Sequence, residues 1–417
     1  LLRGFDLACD SLLRVAVLSF ADCDVLFISS HHIIVDGWCN PLIYGDLLRF
    51  YNRCLEGTKE AELADLVLTE KRDILVFRDY VEWINGLGEQ EGKTYWEDYL
   101  EDYESDAEIK PMEVIEGTIT ESVAEEYVTF DPDITTKLTA FARNKGTTIS
   151  TLTQLVTGIL LMKHCNTEDV LIGNVVSGRD VALPGVDKAV GLFINTIPLR
   201  IRAERGEETI EELLTRLQET NTASTAYSHT ALSEIKVGTA NISEYIKHIF
   251  VFENYPQMEA EEDGDQGEKL RLESLDAREQ TNYDLSFAAF SDEYGLRFNI
   301  SYNPKKFTKN NVRILGKHLK SIAEQIVKEP QTALKDICVA DAEERSLLLG
   351  EFNATGAEYA KDKTIVELFE EQVEKTPENT AVVFKDESLT YAELNAKANG
   401  IANRLRDLGV KPDDFVA

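Results

Sequence analysis

The stretch His31-His32-Ile33-Ile34-Val35-Asp36-Gly37 brings two of the chain's six histidines, a carboxylate and a glycine within seven positions. A neutral imidazole near pH 7 is well suited to taking a proton from an incoming nucleophile or holding that nucleophile in place. Neighbouring side chains on a strand point to opposite faces. At a strand end His31 and His32 are therefore expected to diverge, one packing inward and the other free to face a cleft. That divergence argues against a zinc site built on the pair, since both rings would have to converge on the ion. Asp36, where the chain turns, is expected to ion-pair with an arginine and hold the turn closed. Gly37 permits backbone geometry or close approach that a Cβ would block. A single histidine is more often structural than catalytic. The longer H-H-x-x-x-D-G string at a strand end is the restrictive feature.

The surrounding pattern supplies the elements that must position these groups. "LRVAVLSF" and "VLFISSHH" are β-rich runs separated by "ADCD", which predicts a hairpin leading into the histidines. Beyond Gly37, Leu47, Leu48, Tyr51 and Leu55 fall at helical spacing, and Gly57 closes that helix. Residues from about 65 to 104 read as helices. "EYVTFDPDITTKLTAFARNKGTTISTLTQLVTGILLMKH" predicts a strand and two helices, the second with a wide apolar face at Leu152, Leu155, Val156, Ile159 and Leu160. "DVLIGNVVSGR" and "VGLFINTIPLRI" predict strands on either side of a loop; "HIFVFENY" and "YGLRFNISYN" predict two more. "QMEAEEDGDQGEK" reads as a solvated acidic loop, and "VRILGKHLKSIAEQIVKEP" as a closing helix. A linker is expected at 341–357. The pattern then restarts as helix, strand, turn and helix, with a Thr390/Glu393 capping box and a stop at Gly409.

The 417 residues exceed one compact core, so at least two domains are expected. A formal charge of −32 repels phosphate backbones and speaks against nucleic acid as a partner. No apolar run reaches the length of a membrane span. The six scattered cysteines form no C-x-x-C pair and read as free thiols in a cytoplasmic protein, with no support for a metal site. A start at Leu1 rather than Met and an abrupt end at Ala417 lead us to expect a piece of a longer chain.

HHIIVDG resembles the HHxxxDG signature of condensation domains of non-ribosomal peptide synthetases. Four further segments follow in that family's order. "FRDYVEW" (77–83) is similar to its Y-x-D-F-A-V-W motif. "SGRD" with "VGLFINT" (190–196) resembles its G-R and V-G-x-F-x-N-T motifs, and "FVFENYP" (250–256) the segment after them. "LTYAELNAKANGIANRLR" is similar to the first core motif of adenylation domains. In the family about a hundred residues precede the histidines, where thirty do here. No G-G-x-S attachment site for phosphopantetheine is present, and the adenylation phosphate loop is not reached.

The resemblance implies an α/β fold of two chloramphenicol-acetyltransferase-like lobes with the active site in a tunnel between them, plus the opening of an adenylation domain. Residues 1–66 would complete the first lobe, 67–340 would form the second, and 358–417 would begin the adenylation domain. The implied reaction is peptide-bond formation: the amine of a downstream carrier-bound aminoacyl thioester attacks an upstream carrier-bound acyl or peptidyl thioester. Both substrates arrive on phosphopantetheine arms of upstream and downstream peptidyl carrier domains, with no diffusible cofactor and no metal. The catalytic set would be His32, His31, Asp36 and Gly37, with His32 facing the tunnel. A base there is worth about a hundred- to ten-thousandfold in rate. Positioning two tethered substrates contributes comparably, so His32 could serve as an orienter instead. Arg179 is the in-chain ion-pair candidate for Asp36. Trp38, Gly191 and Asn195 would contact substrate, the last two from a loop at the tunnel floor. Epimerisation uses the same signature but continues D-G-V-S-W, whereas Trp38 follows Gly37 directly here; a non-catalytic carrier-docking role is the other rival. "HHIIVDGWCNPLI" looks most like variants that join an L-configured donor to an L-acceptor.

Overall fold

The turn signal at 21–24 does what its composition requires. In the computed structural model, described over residues 3–70, 74–111, 115, 119, 121–204, 207–254, 281–292, 294–411 and 414–416, β1 (Leu13–Ser19) pairs antiparallel with β2 (Asp24–Ser30). The strand ends at Ser30, not at the histidines. His32–Ile34 form a single 3-10 turn that leads into α1 (Cys39–Leu55), and Gly57, with a φ of +86°, follows that helix. Then come α2 (Glu60–Glu70), α3 (Phe77–Asn85) and α4 (Glu89–Tyr99). The lobe boundary expected at 66/67 thus falls inside α2. That segment keeps helical periodicity and has no breaker.

The next stretch builds the main layer: β3 (Ala124–Thr129), α5 (Pro132–Asn144), α6 (Ile149–Cys165), β4 (Asp169–Val176), β5 (Asn195–Arg202) and α7 (Ile210–Thr225). A small hairpin, β6 (Lys236–Val237) and β7 (Ala240–Asn241), precedes β8 (Ile249–Glu253), β9 (Leu285–Asp292), β10 (Gly295–Tyr302) and α8 (Lys309–Lys328). Among the described residues the sheet runs β3-β10-β9-β8-β4-β5; β8 lies parallel to both β4 and β9, and the other pairs are antiparallel. The expected acidic loop at 257–269 and the end of the 250–256 motif lie outside the described residues.

The core of this layer centres on α6. Thr148 caps it by accepting the Thr151 N–H, and Asn166 ends it in the left-handed region. Every residue from Thr151 to Met162 is buried, because the sheet covers one side and α5, α7 and α8 the others. The five apolar residues expected to form its face are at most 2% exposed. A second cluster packs Trp96 of α4, with Leu100 and Tyr103 just after it, against Leu171, Ile197 and Ile242.

The chain divides into two compact units, 1–345 and 346–417. The division falls inside the stretch expected to be a linker, but the first half of that stretch is helical: α9 (Ala342–Ser346) runs into a π turn at Leu347–Glu351. With no glycine or proline in it before Gly350, nothing stops it earlier. The second unit contains α10 (Ile365–Lys375), β11 (Thr380–Phe384) paired with β12 (Glu387–Thr390), and α11 (Tyr391–Asp407). The Thr390/Glu393 capping box forms in both directions. Among the described residues no helix is long and apolar enough to cross a membrane.

Candidate active site

His31 and His32 do part, though not by strand alternation. His31 is the N-cap of the 3-10 turn, with Nδ1 accepting the Ile33 N–H at 3.1 Å. Its half-buried ring lies edge-on to Phe5, with centroids 6.0 Å apart. His32, the first residue of the turn, is exposed and lines a cavity of about 1260 Å³. Gly37, Trp38, Asn40 and Tyr44, from the loop and the start of α1, line the same cavity, as do residues 178–181.

Asp36 faces away from that space. It is 2% exposed and pairs with the buried Arg179, whose Nη2 lies 3.3 Å from Asp36 Oδ1. The other carboxylate oxygen accepts the Phe193 N–H at 2.9 Å. Arg179 Nη1 donates to the carbonyls of Val186 (2.5 Å) and Ala189 (2.9 Å). Its guanidinium sits 4.0 Å from the Phe193 ring centroid and 5.5 Å from that of Trp38. The pair therefore staples the histidine loop to the 177–193 loop, and Trp38 Nε1 adds a donation to the Asp187 carbonyl at 2.9 Å.

Four further residues complete this staple, and of these Cys39 alone lies outside the HHIIVDG, FRDYVEW and SGRD motifs. Cys39 is fully buried; its Sγ lies 3.2 Å from both Asp36 Oδ1 and the Gly191 carbonyl and accepts the Gly191 N–H at 3.4 Å. Burial pushes this thiol's pKa up, so it acts as a neutral bridge. Gly178, just before Arg179, has a φ of +63°, and a Cβ there would stand 1.9 Å from the Phe193 carbonyl oxygen. Phe77 and Tyr80, from the FRDYVEW segment, pack their rings 5.1 and 4.6 Å from Phe193. That segment is a platform beneath the arginine.

The contacts of Gly191 and Asn195 lie in the scaffold around the site. Neither lines the cavity. Gly191 is pressed against Phe77, where a Cβ would meet a ring carbon at 2.3 Å, and its backbone serves Cys39. Asn195 opens β5, and its Nδ2 donates to the carbonyls of Ser228 (2.8 Å) and Thr230 (2.7 Å). The half-buried amide finds its partners in the loop after α7. Among neighbouring positions, Ile194 and Ile197 form the cavity wall.

Known proteins agree with this architecture. A family model described as "Condensation domain" matches residues 1–349, and one described as "AMP-binding enzyme" matches 369–417. Bacitracin synthase 1 of Bacillus licheniformis is 35% identical over 414 residues, covering 98% of this chain and 8% of that protein. Tyrocidine synthase 2 of Brevibacillus parabrevis is 35% identical over 417 residues, covering 99% of this chain and 11% of that protein. The chain thus spans a small fraction of these relatives. Among solved structures, a four-domain non-ribosomal peptide synthetase bound to AMP and glycine superposes with a TM-score of 0.69 at 17% identity, covering 98% of this chain and 31% of that one. The first condensation domain of the calcium-dependent antibiotic synthetase, in complex with a substrate analogue, gives 0.55 at 16% identity, covering 79% of this chain and 70% of that one. These likenesses establish the fold.

Proposed function

The chain belongs to the condensation-domain family, with the start of an AMP-binding domain behind it, and from that premise we propose that residues 1–345 form peptide bonds in non-ribosomal peptide synthesis. The amine of a carrier-bound aminoacyl thioester attacks the carbonyl carbon of a second, acyl or peptidyl, thioester. The C–N bond forms, the C–S bond breaks, the sulfur leaves as a thiolate on the donor's phosphopantetheine arm, and the one proton given up by the amine passes by way of His32 to that thiolate. His32 orients the attacking amine and receives that proton. The observation that carries this reading is the His32 imidazole on the wall of a large cavity, with no ring hydrogen bond among the described residues.

The supporting residues follow from the geometry. Asp36 and Arg179 fix the loop that presents His32. Gly37 lets the backbone pass close to the cavity, and Trp38 forms part of its wall. Two carrier domains with their phosphopantetheine arms are the partners, and no diffusible cofactor or metal enters. We place the donor and acceptor in the L/L class on the HHIIVDGW string, and the protein in the cytoplasm on its free thiols and charge.

The test is His32→Ala in the full-length synthetase with both carriers loaded. The expected result is a loss of dipeptidyl-carrier product by about a hundredfold or more with the melting temperature nearly unchanged, because His32 is exposed. Condensation at the wild-type rate would remove His32 from the mechanism. Loss of the α-hydrogen's configuration without amide formation would mean epimerisation instead.

A further inference from the structure

One wall of the same cavity carries a chain of side-chain amides that the histidine loop and its staple do not use. Gln154 is 5% exposed and Asn174 8%. They project from α6 and β4, and Gln154 Nε2 donates to Asn174 Oδ1 at 3.2 Å. Asn221 of α7 continues the row, donating through Nδ2 to Gln154 Oε1 at 2.6 Å. All three line the cavity, as does the buried Thr151, whose hydroxyl donates to Gln218 Oε1 at 2.7 Å. Such a row is costly in a buried wall unless each group is paired. Here the pairing leaves a remainder at each end. Asn174 Nδ2 and Asn221 Oδ1 have no partner among the described residues, and neither is sealed from the cavity. The row therefore offers one donor and one acceptor, joined by a fixed amide between them.

That combination is the complement of a secondary amide, which presents one C=O and one N–H. We infer that Asn174, Gln154 and Asn221 form a subsite for a secondary amide of the thioester-bearing chain lying in the cavity, with Asn174 donating to its carbonyl and Asn221 accepting its N–H. Two sources carry such a group under the proposed peptide-bond formation, on which this inference rests: the pantetheine arm, with two secondary amides, and a peptidyl donor. Gln154 is a positioning residue. It fixes which way the two outer amides point, so that the chain is held in one register and its reactive end is presented consistently.

The experiment uses the full-length synthetase and soluble thioesters of one amino acid in place of the loaded carrier: pantetheine (two amides), N-acetylcysteamine (one amide) and ethanethiol (none). The wild-type KM is expected to rise by about three- to tenfold at the one step of that series that removes the amide held by the subsite, the range of one net hydrogen bond. In Asn221→Ala, on the half-buried residue, and in Gln154→Leu, that discrimination should collapse toward unity, whereas Gln154→Glu, which keeps an acceptor for Asn221, should retain part of it. Binding of the non-reactive thioether of aminoacyl-pantetheine, followed by calorimetry, reads the same loss without turnover. If the aminoacyl series shows no dependence on Asn221 or Gln154 but dipeptidyl thioesters bind more weakly to the variants, the amide recognised is the peptide's. Unchanged discrimination in both series, with wild-type condensation intact, overturns the subsite and leaves the proposed activity standing. A wild-type enzyme that binds the thioether but forms no amide overturns the activity instead.

Discussion

Asp36 is held by three donors at once: the Arg179 guanidinium, the Phe193 N–H and the Cys39 thiol. Removing one partner of a buried ion pair leaves the other charge uncompensated, at a cost of about 3–5 kcal/mol. Asp36→Ala should therefore lose stability by about that amount in chemical denaturation. Arg179→Met should lose a similar amount, and the double variant less than the sum of the two, because neither charge is then stranded. Additive losses would show that the two groups do not depend on each other. Much of this site is legible in the sequence. The HHxxxDG string and the SGRD turn point to the pair, and the divergence of the histidines can be anticipated. The cause of that divergence cannot, because the strand stops at Ser30, two residues early, and His31 caps a turn. Cys39 stays hidden as one of six scattered thiols. Its role depends on Gly191, 152 residues away, and no local pattern encodes such a distance. The partners of Asn195 are hidden for the same reason: they are carbonyls 33 and 35 residues further on.

At the scale of elements, helical and strand periodicity locates nearly every piece of the main layer but not how completely each is enclosed. The α6 pattern suggests one apolar face, yet its threonines are buried too. Thr153 and Thr157 return their hydroxyls to carbonyls one turn back, which removes the polarity that makes that face look solvated. Three histidines lie among the sheet and helices as well, His248 and His318 buried and His164 half-buried. His248, just before β8, accepts the Ile109 N–H at Nε2 (3.0 Å), so its proton sits on Nδ1, facing the Leu285 carbonyl at 3.3 Å. His164, near the end of α6, meets His318 of α8 at 2.9 Å, and His318 in turn meets Glu344 at 2.7 Å. Burial depresses both His248 and His164 to about 4; for His164 the His318 ring adds to the effect, while Glu344 opposes it. Above about pH 6.5 the folded and unfolded chains both hold these rings neutral, and their contribution to stability is complete. As pH falls from there to about 4 the unfolded chain takes up protons that the folded chain refuses, so stability is lost across that window. The melting temperature of 1–345 within the whole chain should fall between pH 6.5 and 4, and more shallowly in His248→Gln. An equal slope in the variant would mean that other groups carry the acid sensitivity.

Taken as a whole, the chain is two units of very different consolidation. The first holds every buried apolar residue among those described, the last being Ile337. Not one described residue of 346–417 is buried. Its helices are well made locally: both α10 and α11 begin with reciprocal capping boxes, at Thr364/Glu367 and Thr390/Glu393. Capping contributes only about 1 kcal/mol per helix, and isolated helices of 11 and 17 residues are marginal without a packed face. That face is open. Ile365 is 87% exposed, Val383 68%, Phe384 67% and Leu408 72%, so the roughly 1.5–3 kcal/mol that each such side chain gains on full burial is not realised. Local opening there should thus be far easier than in α6. Amide hydrogen exchange should read this directly, with α10 and α11 exchanging orders of magnitude faster than α6 at neutral pH. Brief chymotrypsin treatment should cleave first after Phe352 or Tyr359, which are 65% and 72% exposed in the segment following the π turn, and leave a core that ends at one of those two residues. If α10 and α11 proved as protected as α6, or if those bonds outlasted the main layer, the second unit would owe its stability to burial that its apolar side chains do not have in this structure.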